Sequence, residues 1–329
     1  MSNLSKPHAV YLQDRSAAPQ TTTRGWVRGV YQHAIEYTTF DKSVRGVVFL
    51  FGGVLMASGA GFGCWLIGMV LFDGFTGRWG PPSWFEYFVV LPSFFIFLAI
   101  GLFALIHYGR REFFRPLDLP IIFDRQRRKV YRLDQTPPLS VFSAFKPWPI
   151  RYLEHDWDDI VAEHGVVTFT TGSSAHRQHT LALMVRDKNA GDFKGPITPD
   201  NTPPYVDGFT LGDPKTLSEL TVPLVWEHLR RYMNENGPAL PPGEQLADTT
   251  VPVTWWDSLG AVSVFGPGYV KRWRDGWGWM TIMHLLSPLM LPLAVLIATT
   301  NWLSYKTAYP VQWPQEVLDK VGPPMKPSN

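Results

Sequence analysis

Apolar and polar positions fall into long blocks along this chain, and three of the apolar blocks are of membrane length. Gly46 to Phe72 reads GVVFLFGGVLMASGAGFGCWLIGMVLF, Tyr87 to Tyr108 reads YFVVLPSFFIFLAIGLFALIHY, and Met280 to Leu303 reads MTIMHLLSPLMLPLAVLIATTNWL. A helix needs about 20 apolar residues to cross the hydrocarbon core of a bilayer, so each block predicts a transmembrane helix. Pro288 and Pro292 predict a kink in the third, with freed carbonyls that neighbouring groups must satisfy. Gly59 and Gly63, four apart in the first block, offer a small-residue seam, expected to pack on the second helix of the same chain. The first block starts too late for a cleaved signal peptide, and no small-residue cleavage site follows it. None of the three holds an Asp, Glu, Lys or Arg, so an ion or proton path would lack its usual residues.

The polar middle, residues 116–250, carries period-two patterning. Leu119 to Asp124 and Lys129 to Leu133 predict a hairpin around a basic turn. Trp157 to Ala162, Val166 to Thr171 and His179 to Arg186 predict further strands, and 187–214 reads as a long loop with at most one short strand. Val222, Val225, Trp226, Leu229 and Met233 form one apolar stripe and predict a helix over 222–235. Thr221 is the expected N-cap, Pro223 suits the first turn, and Gly237-Pro238 marks the stop. The expected fold class is therefore a membrane α-helical protein with three transmembrane helices and an α+β cytoplasmic domain. That domain is mainly antiparallel β with a closing C-terminal helix, the element order of a pleckstrin-homology-like barrel by fold-level analogy.

The expected organisation is an N-terminal segment 1–43, a helical hairpin 44–110 with spans 46–72 and 87–108, and a β-rich domain 116–250. A connector 252–275, a third helix 278–305 and a tail 306–329 complete it. Trp255, Trp256, Trp273 and Trp277, with cations beside them, suit a connector lying at the membrane surface. A second packing layer on the β unit is the competing reading.

Charge adds orientation. Arg24, Arg28, Lys42 and Arg45 precede the first block, Arg110, Arg111 and Arg115 follow the second, and Lys271, Arg272 and Arg274 precede the third. The loop between the first two holds only Arg78, and the nearest cation after the third is Lys306. The positive-inside rule then puts the N-terminus and the middle domain in the cytoplasm and the C-terminus outside. Trp79, Trp84, Trp277, Trp279 and Trp302 stand at the block ends, where interfacial aromatics belong. A net charge of +2 over 329 residues argues against a dedicated nucleic-acid binder.

Candidate chemistry is sparse. Arg125, Arg127, Arg128 and Lys129 crowd the hairpin turn and read first as a solvated turn, then as an anionic-lipid or partner-binding patch, and last as a nucleic-acid patch. Cys64 is the only cysteine, so an intramolecular disulfide and a thiolate metal cluster are excluded. His176 and His179 lack a further ligand at metal spacing and read as surface histidines beside a loop. The acids of EHDWDD, 154–159, read as a strand entry more readily than as paired catalytic carboxylates, and Asp207-Gly208 as a turn. His107 and His284 read as interfacial. No phosphate loop, dinucleotide fingerprint, zinc-protease motif or nucleophile elbow occurs. No catalytic residue, cofactor or metal is predicted.

The hairpin PIIFDRQRRKVYR, then WDDI, then VWEHLRRYMNENGPALPPG, framed by two apolar spans before and one after, resembles an uncharacterised family of proteobacterial membrane proteins. The resemblance covers most of residues 40–305. Members of that family are often encoded beside type VI secretion spike and effector genes. It implies a bacterial inner-membrane setting and supplies no catalytic residues. The expected function is a non-enzymatic inner-membrane protein whose cytoplasmic domain binds a protein partner, as an adaptor or immunity protein near toxin delivery. Expected partners are the lipid bilayer and a secreted effector or spike component. A membrane-disrupting effector and a lipid-binding protein using the basic hairpin are the alternatives.

Overall fold

The computed structural model describes residues 6–39, 45–78, 83–136, 145–171, 174–190, 193 and 195–325; the side chains of 169–176 are outside the description. Lys42 and Trp79 fall outside it too.

Three helices are long and apolar enough to cross a membrane: α1 (Phe49–Phe75), α2 (Glu86–Glu112) and a third at Trp277–Thr307. α1 and α2 form an antiparallel hairpin because small residues let their backbones meet. A β-carbon on Gly63 would lie 2.7 Å from the Phe97 ring, and one on Gly52 would lie 2.5 Å from Tyr108. The seam therefore runs through Gly52 and Gly63 within one chain. Gly59 faces open space and takes no part in it. Large apolar side chains such as Phe62, Phe72, Phe88 and Leu289 point outward, uncovered by protein. Soluble monomers rarely expose apolar surface on this scale.

The β domain is built from three separate stretches of chain. Residues 6–39 supply β1 (Ala9–Tyr11), β2 (Val27–Val30) and β3 (Ala34–Tyr37). After α2 come β4 (Ile121–Asp124), β5 (Lys129–Asp134), β6 (Arg151–Asp156), β7 (Ile160–Thr171), β8 (Ser174–Arg186) and β9 (Tyr205–Leu211). All pairings are antiparallel. One sheet runs β2-β3-β4-β5-β6 and the other β1-β7-β8-β9. The amphipathic helix α3 (Thr221–Asn234) closes the space between them, with Trp226 stacked on Trp157 at 5.4 Å. The predicted hairpin, the apolar stripe and the strand in the 187–214 loop are all present.

Several boundaries move. The N-terminal segment is part of the β domain, because its apolar positions Val27, Ile35 and Tyr37 are needed to fill the core. The strand expected at 157–162 begins only at Ile160, after a 3₁₀ turn at Trp157–Asp159 that sends Trp157 inward, and it runs on without a break through the strand expected at 166–171 as β7. The Thr221 hydroxyl accepts the Ser218 amide, and Leu220 occupies the cap position.

The connector forms α4 (Trp255–Val262) and α5 (Tyr269–Asp275), followed after Gly276 by α6 (Trp277–Thr307). α4 and α5 run antiparallel along α6. Trp255 Nε1 donates to Thr299 Oγ1 at 3.0 Å, Leu259 packs on Ala294 and Ala298, and Phe265, Tyr269 and Trp273 surround His284. From Trp277 to Thr299 a helix rises about 33 Å, so residues 255–275 cover the same depth in the opposite direction. The connector therefore packs on α6 and is not a second layer on the β unit. Within the uncharged stretch 258–270, Leu259 is buried and Val262 and Phe265 pack half-buried against α6, and the Thr254–Asp257 capping box fixes where that limb begins.

The tail is also relocated. Its helix α7 (Gln315–Val321) inserts Val317 and Val321, with Trp313, among Tyr31, Ile122 and Tyr131 of the β domain. Trp313 Nε1 donates to the buried Glu36 at 2.8 Å, and Met325 N donates to Val30 O at 2.7 Å. Residues 309–325 therefore lie on the same side as the N-terminus and the β domain. The tail is thus no separate segment: its apolar stripe covers a sheet of the β domain.

Candidate functional site

The basic turn is matched by its own fold. Arg128 adopts a left-handed conformation, φ 53°, and the Asp124 carboxylate accepts the amides of Gln126 and Arg127 at 3.0 and 3.1 Å. Arg125 lies 4.9 Å over the Tyr232 ring of α3. Arg127 pairs with Asp124 at 3.3 Å and donates to the Lys320 carbonyl. Arg128 forks onto Asp158 and reaches Asn234 Oδ1 at 3.3 Å. Lys129 pairs with Asp156 at 2.7 Å and Glu154 at 3.3 Å. Glu154, Asp156 and Asp158 of EHDWDD are thus the counter-ions of Arg128 and Lys129, and the hydrogen bond from Arg128 holds the Asp158 carboxyl below its usual range. The turn sits at the end of β4 away from Pro116, where the chain enters the domain from α2.

At the other end of β4 the helices and the domain meet in a polar knot. The Glu112 carboxylate, buried at the end of α2, accepts the Gly46 amide at 2.7 Å. Ser304 Oγ of α6 lies 3.0 Å from the Glu112 carbonyl oxygen, and Arg45 Nε donates to Ser304 Oγ at 3.0 Å. Asn301 Nδ2 donates to the Arg45 carbonyl at 3.0 Å. Three apolar helices are joined here by hydrogen bonds at their domain-side ends. Asn301, a polar residue inside the third apolar block, was the sequence signal for this contact.

The four tryptophans do not form one patch. Trp255 and Trp256 lie at the domain-side end of the α4–α6 pair, and Trp273 and Trp277 at the opposite end. His284 accepts or donates to Tyr269 Oη at 2.9 Å and is enclosed by aromatics two turns inside α6, not at its end. His107 stacks on Phe103 at 5.3 Å near the end of α2.

Two clusters escaped the sequence. His179 is buried, with Nδ1 2.9 Å from Nε2 of the buried His164; Tyr11 of β1 stacks on His164 and His8, just before β1, meets it edge-on. Burial, reinforced by His179 and His8, pushes the His164 imidazole down to about 4. His179 is therefore an interior residue; the strand β1 that covers it is only three residues long and left no pattern. Arg132 and His155 of one sheet meet Asp207 and Phe209 of the other. His155 Nε2 is 2.9 Å and Arg132 Nη2 3.1 Å from Asp207 Oδ2, and Arg132 lies 5.1 Å over the Phe209 ring. Burial opposes ionisation of Asp207, but these two partners outweigh it and lower its pKa. An aspartate–histidine pair can orient a general base, yet among the described residues no hydroxyl or thiol hydrogen-bonds to His155. Among the described residues no group of three or more His, Cys, Asp or Glu is placed to hold a metal.

Fold and site together define a helical protein of membrane-crossing length that carries a two-sheet β domain at one end. The chain belongs to the family of unknown function DUF6708, which matches residues 96–321. That match opens inside α2 and closes on the last residue of α7, so the docked tail lies within the family unit. No curated protein and no solved structure matches.

Proposed function

We propose that this protein is a non-enzymatic, membrane-anchored binding protein whose β domain captures a protein partner. The observation that carries the reading is the β7–β8 hairpin. β1 pairs only with residues 162–164 of β7, and β9 only with 181–186 of β8. From Gly165 to Thr171 and from Ser174 to Thr180 the two strands pair with each other alone among the described residues. This arm presents two strand edges, and no Asp or Glu occurs between 165 and 180 to repel an incoming strand. Unpaired edges recruit a strand from another chain through main-chain hydrogen bonds. The internal pairing of Arg125 to Lys129 weighs against the lipid-binding alternative.

The setting we propose is a bacterial inner membrane with the β domain and both termini in the cytoplasm. Arg45, Arg110, Arg111, Arg115 and Lys306 lie at the domain-side end of the helices, against Arg78, Lys271, Arg272 and Arg274 at the other. The bias is small, and the first span, flanked by Arg45 before and Arg78 after, usually dominates. A five-strand meander, a three-strand meander and a closing helix also have the order of a pleckstrin-homology-like barrel, a fold used for partner binding. The sequence resemblance supports an adaptor or immunity role beside type VI secretion, with a secreted effector or spike component as the partner.

Affinity capture of the detergent-solubilised full-length protein from its host tests this. An effector or spike protein should be recovered with the intact chain and lost when residues 166–179 are replaced by a two-residue Asn-Gly turn. Equal recovery with the armless variant, at equal thermal stability, overturns the reading. In a Cys64→Ser background, Gly276→Cys should label from outside intact cells and Lys215→Cys only after lysis.

A further inference from the structure

The limb made by α4 and α5 is broken in its middle. Gly266-Pro267-Gly268 interrupts it, and the chain there folds tightly onto α4. Gly266 has φ +112°, and a β-carbon on it would lie 2.5 Å from the Gly260 amide nitrogen. Irregular backbone at membrane depth is tolerated only where it is buried in protein or lines a water-filled cavity. The carbonyls freed by the break are satisfied from within: the Arg272 guanidinium folds back to those of Pro267, Val264 and Gly266 at 2.7, 3.0 and 3.4 Å. Opposite the break stands the stretch of α6 that holds Pro288 and Pro292.

Between the break and α6 lies a cavity of about 160 Å³, bounded by Val262, Phe265, Met283, Met290 and Ile297. None of its lining residues is charged. Its two hydroxyls are engaged elsewhere: Ser263 Oγ donates to the Leu259 carbonyl at 2.8 Å. Ser287 Oγ donates to the His284 carbonyl, the group that Pro288 leaves without an amide, at 2.7 Å. The cavity thus offers no free donor to a ligand. It opens beside Leu286 and Met290, both exposed on the outer face of α6. Residues 283–297 occupy the middle of α6, so on the membrane reading above the opening faces the hydrocarbon core and lies away from the headgroups.

We infer that this cavity is a binding site for the terminal part of a lipid acyl chain. The inference rests on the membrane reading of the helices. An apolar cavity of about 150 Å³ in a protein interior stays dry and accepts benzene, so this volume accommodates a short length of hydrocarbon. The chemistry of the lining sets the ligand class: a chain end without polar atoms, entering from the bilayer.

The test uses full-length protein in vesicles of phosphatidylethanolamine and phosphatidylglycerol, doped with a phospholipid bearing a diazirine at its acyl terminus. Photolysis and peptide mapping should place label on Phe265, Met283 and Ile297 severalfold above the outward-facing Phe62 and Leu66 of α1. Moving the diazirine to the headgroup should remove that excess, and Met290→Trp, which fills the cavity, should remove it from Phe265. Even labelling of all outward-facing residues would mean general lipid contact and overturns the site, as does an excess that survives Met290→Trp in a folded variant. If that variant does not fold, the comparison of the two diazirine positions decides alone. Absence of label from α1, α2 and α6 together would overturn the membrane reading itself.

Discussion

A β-carbon on Gly46 would lie 2.7 Å from the carbonyl oxygen of Thr300, so the entry to α1 and the domain-side end of α6 touch backbone to backbone. Gly46 also holds φ +91°, a region that favours glycine, and its amide is taken by Glu112 of α2. One residue thus joins the three helices at the point where they meet the β domain.

Gly46→Ala should therefore lower stability by at least about 2 kcal/mol, from a strained φ and an overpacked contact together. Gly59→Ala should leave it unchanged or raise it, since glycine inside a helix costs about 1 kcal/mol relative to alanine and nothing lies near that position. Thermal unfolding in detergent reads both. Equal melting temperatures for the two variants would show that the helix junction is not as described.

Glu227 of α3 is fully buried and holds the N-terminal segment. It accepts the Ala17 amide at 2.9 Å and Ser16 Oγ at 3.0 Å, and pairs with Arg230 and Arg231 at 2.8 and 2.6 Å. Glu227→Gln leaves Arg230 buried with only the exposed Glu235 as partner, so a loss of about 3 kcal/mol is expected. Residues 6–24 should then become sensitive to limited proteolysis, which checks the strap separately from global unfolding.

Acid should destabilise the β domain in two windows. Burial pushes both His164 and His228 down to about 4. The unfolded chain binds those protons near pH 6.5, so stability is full above that and falls as pH drops toward 4. For Glu227, burial opposes ionisation, but the bonds from Arg230, Ala17, Arg231 and Ser16 outweigh it and bring the carboxyl down to about 2. Its contribution is present above about pH 4.5 and lost as pH falls toward 2. Melting temperature against pH should show both declines, and His228→Gln should flatten the upper one.

The basic turn should behave as a structural clamp. Arg128→Ala and Asp158→Ala should each destabilise the domain, and their double-mutant cycle should give a coupling of up to about 1 kcal/mol, modest because the pair is partly exposed. Additive losses would return Arg128 to the pool of free surface cations.

The sequence by itself determined the elements whose cause is local. Uncharged runs of more than twenty residues can be stable only as membrane-length helices, and α1, α2 and α6 follow from that. Alternation around Arg125 to Lys129 specified β4 and β5, and the stripe from Val222 to Met233 specified α3. Tertiary structure alone decided what those elements meet. β1, β2 and β3 are three or four residues long, too short to carry a period, and exist because β7 and β4 offer them edges. The limb 254–275 holds an uncharged stretch of thirteen residues, 258–270, with no period that names its neighbour; its course is set by packing on α6. Charge counting expected the tail apart from the β domain; its place there is set instead by contacts such as Trp313 with Glu36, 277 residues apart in sequence, as the limb's place is set by Trp255 with Thr299, 44 apart.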